Sequence, residues 1–205
     1  MALGVYITFR ILDFADLTVD GSLATGGAVA VMLIQGGMNP ALSLLFAFLA
    51  GMAAGFVTGF LHTALGIPGI LASILTQISL YSVNLGIMGK ANQSIGLGQK
   101  NLVASSRYVT ADDSVFFFIK LVLGCLILVA VVYWLFGTEL GSSIRATGCN
   151  SQMARAQGIN TNFTKVIALM ISNGLVGLCG GIYPQYQGSA DVNAGRGAIV
   201  IGLAA

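Results

Sequence analysis

The sequence predicts an all-α, polytopic bundle of transmembrane helices, and three observations carry that prediction. The first is the uncharged run ALSLLFAFLAGMAAGFVTGFL at residues 41–61. At 1.5 Å per residue it is long enough to cross a hydrocarbon core of roughly 30 Å. The second is composition: the chain is 56% hydrophobic and 8% charged, with mean hydropathy +0.89, where soluble domains carry about 25% charged residues. The third is its 28 glycines. Gly51, Gly55 and Gly59 recur every four residues, so they share one helix face and admit a second backbone at close range. Lipid offers backbone groups no partners, so runs that span must be helical. Residues 1–205 read as a single transmembrane domain. A large soluble core is excluded. The net charge of +2 is too small to point to nucleic acid.

In chain order, residues 1–12 read as the back half of a helix. The acidic stretch DFADLTVDGS follows at 13–22, then an apolar run at 23–36. GGMNP at 36–40 signals a turn, and the next helix covers 40–62. His62 and GIPG at 66–69 break the chain before a fourth segment at 68–89. A polar loop at 90–114 precedes a fifth helix at 115–136. That helix has Lys120 near its start and Tyr133 and Trp134 near its end, as snorkelling and an aromatic belt require. A second polar loop covers 137–164. A sixth helix at 165–183 carries NGLVGLCGG, whose Gly177 and Gly181 form a second small-residue face. A connector at 183–197 leads into the start of a seventh helix. The chain opens and closes inside short apolar runs, 2–9 and 198–205, which predicts a piece of a longer membrane protein, truncated at both ends. Loop charge does not orient it. Lys90, Lys100 and Arg107 in one loop balance Arg145, Arg155 and Lys165 around the other, and these loops lie on opposite sides if each segment crosses once.

Few residues offer chemistry. Cys125, Cys149 and Cys179 are odd in number and lack C-x-x-C spacing, so neither a disulfide framework nor a zinc site is indicated. His62 is the single histidine, and metal ligation is not expected. No cofactor motif is present: there is no G-x-x-x-x-G-K-[ST], no G-x-S-x-G and no H-E-x-x-H. An enzyme is therefore not expected. Acids at membrane depth are costly and mark a pathway or a partner, which makes Asp16 and Asp20 candidates for a translocation pathway, or alternatively helix caps. Gln77, Asn84 and Asn173 are uncharged polar residues inside apolar segments. They line a pathway or bond between helices. The loop GTELGSSIRATGCNSQMARAQGIN at 137–160 reads as two short helices, each closed by a glycine, Gly148 and Gly158. Asn150 caps the second. Met153, Ala154 and Ala156 give it a small apolar surface, with Arg145 and Arg155 beside it.

The ordered set LGVYITFRILDFADLTVDGS, LATGGAVAV, GFVTGFL, GILASILTQISL and GTELGSSIRATGCNSQMARAQGIN resembles the permease subunits of bacterial ABC importers of the branched-chain amino acid and simple-sugar class. The resemblance covers nearly the whole chain. It implies a multi-pass protein of the bacterial inner membrane, paired with a second permease subunit. It also implies an ABC ATPase subunit that supplies energy and an extracytoplasmic solute-binding protein that delivers solute. By position, 137–164 becomes a cytoplasmic coupling loop, and 90–114 lies outside. Arg145, Gly148, Asn150, Met153, Ala154, Arg155, Ala156 and Gly158 then form or shape the ATPase contact. In related permeases a D-L-[ST]-V-G-S-like turn follows half of a broken helix near the transport pathway. This chain adds Asp20 to that pattern, which favours an amino acid's ammonium group over a sugar or nucleoside. An ion-coupled secondary transporter is the alternative class, although no clear internal repeat supports it.

Overall fold

The structure is a computed structural model that describes residues 1–95 and 111–204, with side chains described everywhere except 111–121. The predictions concerning Lys100, Arg107 and the side chain of Lys120 fall outside the described residues. Helix α1 (Ala2–Tyr6) runs into a π-helical turn (Ile7–Ile11), and a non-helical linker at 12–17 leads to α2 (Thr18–Gln35). Helices α3 (Pro40–Ala64) and α4 (Gly69–Met88) follow, then a short strand β1 (Asn92–Ser94). Helix α5 (Ala111–Gly137) bends by 75° into α6 (Glu139–Cys149). The chain continues through α7 (Ser151–Ala156), α8 (Thr161–Gln187), β2 (Ser189–Asp191) and α9 (Ala198–Ala204).

Among the described residues, α2, α3, α4 and α8 are each long and apolar enough to cross a membrane, and the bent α5–α6 pair adds a fifth if counted as one span. Helix α3 shows why the bundle needs lipid. Its buried residues are Pro40, Ser43, Ala47, Gly51, Ala54, Gly55, Thr58 and Gly59, while Leu42, Leu45, Phe46, Leu49, Phe56 and Phe60 face outward. Small residues pack and large ones are exposed, the reverse of a soluble core. That is the arrangement expected where close backbone approach, rather than escape from water, drives association. The local signals place its ends. Asn39 Oδ1 accepts from the Ala41 amide at 3.3 Å and Pro40 opens the helix, while Gly66 at φ +68° and Pro68 stop continuation.

The core is a three-helix contact of α2, α3 and α8. A Cβ on Gly51 would strike the carbonyl of Asn173, and one on Gly55 the carbonyl of Leu169. Gly59 lies against Val166, and Gly177 against Ala47 and Gly51. Gly181 touches Ala47 and Leu44. The two numberings run in opposite senses, so α3 and α8 are antiparallel. Ser22 meets Asn173, Gly26 meets Gly177 and Ala30 meets Gly181, so α2 runs parallel to α8. Hydroxyls within these helices bond their own backbone: Thr25, Thr58 and Thr76 each donate to the carbonyl four residues back, which keeps them satisfied away from water.

Three features depart from the sequence reading. Thr18–Ser22 are helical, so the break lies at 12–17 and takes in only the first half of the acidic motif, with Asp13 and Asp16 but not Asp20. Strands β1 and β2 pair antiparallel, Asn92 with Asp191 and Ser94 with Ser189, inside the two segments expected to be loops. They cover a cluster of Ala28, Val31, Ile34, Met88, Ile95, Ala190 and Val192 at the C-terminal ends of α2 and α4, and Gln35 Nε2 donates to the Ser94 carbonyl at 2.7 Å. Helix α8 runs from Thr161 to Gln187, four residues beyond the expected 165–183 at each end.

Candidate functional site

The 137–160 segment forms one braced unit. Asn150 Oδ1 accepts from the amides of Gln152 and Met153 at 3.0 and 3.1 Å and caps α7. Asn160 Oδ1 accepts from Phe163 at 3.2 Å and caps α8. Between them the chain turns at Gly158, whose φ of +84° suits glycine. Arg155 Nε donates to Thr161 Oγ1 at 2.6 Å and its Nη2 to Asn162 Oδ1 at 3.3 Å, which ties α7 to α8. Arg145 Nη2 donates to the Phe136 carbonyl at 3.0 Å and ties α6 back to α5. Both arginines therefore brace the unit. Ala154 is buried, whereas Ala156 is exposed and Met153 is 63% exposed. Leu140 and Phe163 are also exposed, and the sequence reading missed both.

This unit grips the linker that precedes α2. A Cβ on Gly148 would strike the carbonyl of Ile11. Ile144 packs in a buried cluster with Leu12, Phe14, Ala168 and Leu169, and Phe14 stacks edge-on against His62 with ring centres 5.2 Å apart. His62 Nδ1 lies 2.9 Å from the Ile67 carbonyl. Two residues beyond Phe14, the carboxylate of Asp16 is fully buried. It accepts from the Thr18 amide at 2.9 Å and from Asn173 Nδ2 at 2.6 Å. Asn173 Oδ1 in turn accepts from the Ser22 hydroxyl, and the Thr18 and Thr58 hydroxyls lie 2.8 Å apart. One polar network thus joins the linker, α2, α3 and α8 near the middle of α8.

Asn173→Leu removes the partner of both Asp16 and Ser22. A neutral bond between membrane helices averages only about 0.6 kcal/mol. Here one acceptor is a fully buried acid left with only the Thr18 amide, and losing a bond to it costs more, roughly 2 kcal/mol. The apparent melting temperature in detergent should fall well below wild type, and adding Ser22→Ala should not lower it much further.

The five pathway candidates divide into two groups. Asp16 and Asn173 sit in the network just described. Asp20, Gln77 and Asn84 come together elsewhere, around a cavity of about 330 Å³ also lined by Tyr81 and Arg196. Gln77, Tyr81 and Asn84 lie at spacings of four and three on one face of α4. Gly21 lets α4 approach α2: a Cβ there would sit 3.0 Å from Leu80 and 3.4 Å from the Gln77 backbone. Asp20 Oδ1 accepts from the Ile199 amide at 2.9 Å and Oδ2 from Gly197 at 3.3 Å, so it caps α9. Gly195 lies against the Asp20 carbonyl, which brings Arg196 to the cavity. Sequence reasoning missed Arg196, although it is the single cation in the 183–197 connector. Asn84 is 1% exposed, and neither Nδ2 nor Oδ1 has a hydrogen-bond partner among the described residues.

Residues 1–205 match the family described as Branched-chain amino acid transport system / permease component. A protein named Tyrosine transport system permease protein, from Clostridioides difficile (strain R20291), is 41% identical over 204 residues, covering 100% of this chain and 66% of that protein. A Rickettsia prowazekii (strain Madrid E) protein without a functional name is 36% identical over 205 residues, covering 100% and 70%. An Autoinducer 2 import system permease protein of Yersinia enterocolitica is 33% identical over 193 residues, covering 93% and 51%. The chain therefore spans between 51% and 70% of the length of these relatives. No solved structure matches it. A full-length match to the family, together with at least four helices able to cross a membrane in an all-α bundle, makes this chain a member of the permease-component family of branched-chain amino acid transport systems.

Proposed function

We propose that the chain is the membrane-spanning part of a bacterial inner-membrane importer that moves a free amino acid and is driven by a separate ABC ATPase. The observation that carries this reading is the braced 137–160 unit pressed onto the 12–17 linker through Gly148 and Ile144. A capped, amphipathic pair of short helices, set 75° off its span, offers a partner the exposed Met153. Its other side holds the segment that leads to Asp16. Force applied by the ATPase reaches the α2–α3–α8 core through those contacts, and the bundle shifts between two packed arrangements. On this reading residues 137–164 face the cytoplasm. A second permease subunit completes the pathway, and an extracytoplasmic binding protein supplies the solute. Similarity to the tyrosine permease supports an amino acid as cargo. Similarity to the autoinducer 2 permeases favours a second reading, a sugar-like solute.

The test is uptake of labelled L-tyrosine, L-leucine and D-ribose by proteoliposomes holding the permease and its ATPase. ATP-dependent accumulation of an amino acid supports the proposal. Transport at full rate without the ATPase, under an ion gradient alone, overturns it in favour of a secondary transporter. Within the same assay, Arg155→Glu and Gly158→Pro should each reduce uptake about tenfold or more while ATP hydrolysis continues. The first breaks the tie between α7 and α8, and the second forces a φ near −65° on a turn built at +84°. Met153→Cys, in a background lacking Cys125, Cys149 and Cys179, should react with a membrane-impermeant maleimide only from the ATPase side.

A further inference from the structure

We propose that the cavity between α2, α4 and the 192–197 turn is a solute-binding site carried within a single copy of the chain, shaped for the ammonium and carboxylate of a free amino acid. This deepens the importer reading and rests on it. At about 330 Å³ the cavity lies at the small end of ligand sites, which run from roughly 300 to 1,000 Å³. Its wall holds one anion, one cation, two carboxamides and a phenol: Asp20, Arg196, Gln77, Asn84 and Tyr81. That donor set matches a small zwitterion. The guanidinium of Arg196 suits a carboxylate. Asp20 already accepts two amides, but a carboxylate has about four acceptor positions, so it can also take an ammonium group.

The independent observation is Asn84. Its carboxamide is buried without a partner at either end, and Asn84 borders the cavity. A buried amide left unmatched bears its full desolvation penalty, and a rotation of the Asn84 side chain into the adjoining cavity would let a bound solute supply both a donor and an acceptor. The contrast with Asn173 is informative, because that amide is satisfied on both sides by Asp16 and Ser22. One is bonded into the scaffold, and the other has no partner among the described residues. The open rim beside Ile78 and Tyr81, both exposed, leaves room for a side chain to project.

A phosphatidylethanolamine headgroup also pairs an ammonium with an anion, so the lipid must be controlled. The experiment measures binding of labelled L-tyrosine and L-leucine to the full permease in nanodiscs made from phosphatidylglycerol alone. The competitors are tyramine, which lacks the carboxylate, 3-(4-hydroxyphenyl)propionate, which lacks the ammonium, and D-ribose. The amino acids should bind, and each one-charge analogue should compete at least about tenfold more weakly, as the loss of one charged hydrogen-bond partner implies. Asn84→Leu should weaken binding about tenfold or more without lowering the melting temperature, because it removes an amide that bonds nothing among the described residues. Unchanged binding in Asn84→Leu, equal competition by either one-charge analogue or by ribose, or loss of amino-acid binding when phosphatidylethanolamine is added each overturns the site. If ATP-driven amino-acid uptake persists unaltered in Asn84→Leu, the site fails and the importer stands. If wild type takes up no amino acid at all, the importer reading fails with it.

Discussion

Gly26→Val is expected to remove most folded protein from the membrane. Gly26 faces the carbonyl of Gly177, and a Cβ there would collide with the carbonyl oxygen, the carbonyl carbon and the α-carbon of that residue. None of these is the end of a flexible side chain. Helix α2 must therefore move off α8, and Gly27, Gly180 and the Ser22–Asn173 bond move with it. Overpacking a yielding core costs about 1–3 kcal/mol, and backbone against backbone yields less. Against a total stability of roughly 5–15 kcal/mol the loss should be decisive. The measurement is the yield of monodisperse protein in mild detergent, with its melting temperature. Gly86→Val is the control. Gly86 has open space around its Cβ position, so its stability should shift by less than about 1 kcal/mol. Equal yields for the two variants would count against the α2–α8 contact.

Gly148→Val is expected to separate ATPase docking from transport. The exposed Met153 surface is untouched, so the ATPase should still bind. The new side chain would meet the carbonyl of Ile11 and the α-carbon of Leu12, and lift α6 from the linker. Uptake should then fall tenfold or more, while ATP hydrolysis by the assembled complex continues. Co-purification of the ATPase with the variant and the ratio of ATP hydrolysed to solute moved are the two readings. Loss of the ATPase from the complex would mean that Gly148 shapes the docking surface itself. Unchanged uptake would mean that the linker carries no force.

Much of the fold was legible because lipid imposes a simple rule. The apolar run at 41–61 gave α3, and its four-residue glycine spacing gave the face that meets α8. Gly177 and Gly181 were legible for the same reason. Gly26 and Gly180 are packed as tightly, but within small-residue runs nothing in the pattern ranks them. The start of α2 was misplaced because Thr18, Val19 and Gly21 are weak helix formers and the acids beside them resemble a turn. Packing on α8 and the Asp16 bond to the Thr18 amide override that preference. The three-residue strands carry no periodicity long enough to read. In the candidate sites, Asp16 and Asp20 were visible as acids, but their different partners were not. That Asn84 is stranded while Asn173 is bonded depends on neighbours distant in sequence, which one chain without its fold does not disclose.

The strand pair ties helix ends together at one end of the bundle. Strands β1 and β2 bracket the C-terminal ends of α2, α4 and α8, and for a tilt about those ends displacement grows with distance from them. Helix α8 has 27 residues, a lever of roughly 40 Å at 1.5 Å per residue. A tilt of about 5° at those ends swings its far end, beside Gly158, through roughly 3.5 Å by that same geometry. With the strand-bound ends held fixed, the greatest travel would fall at the opposite end of the bundle, beside the 137–160 unit.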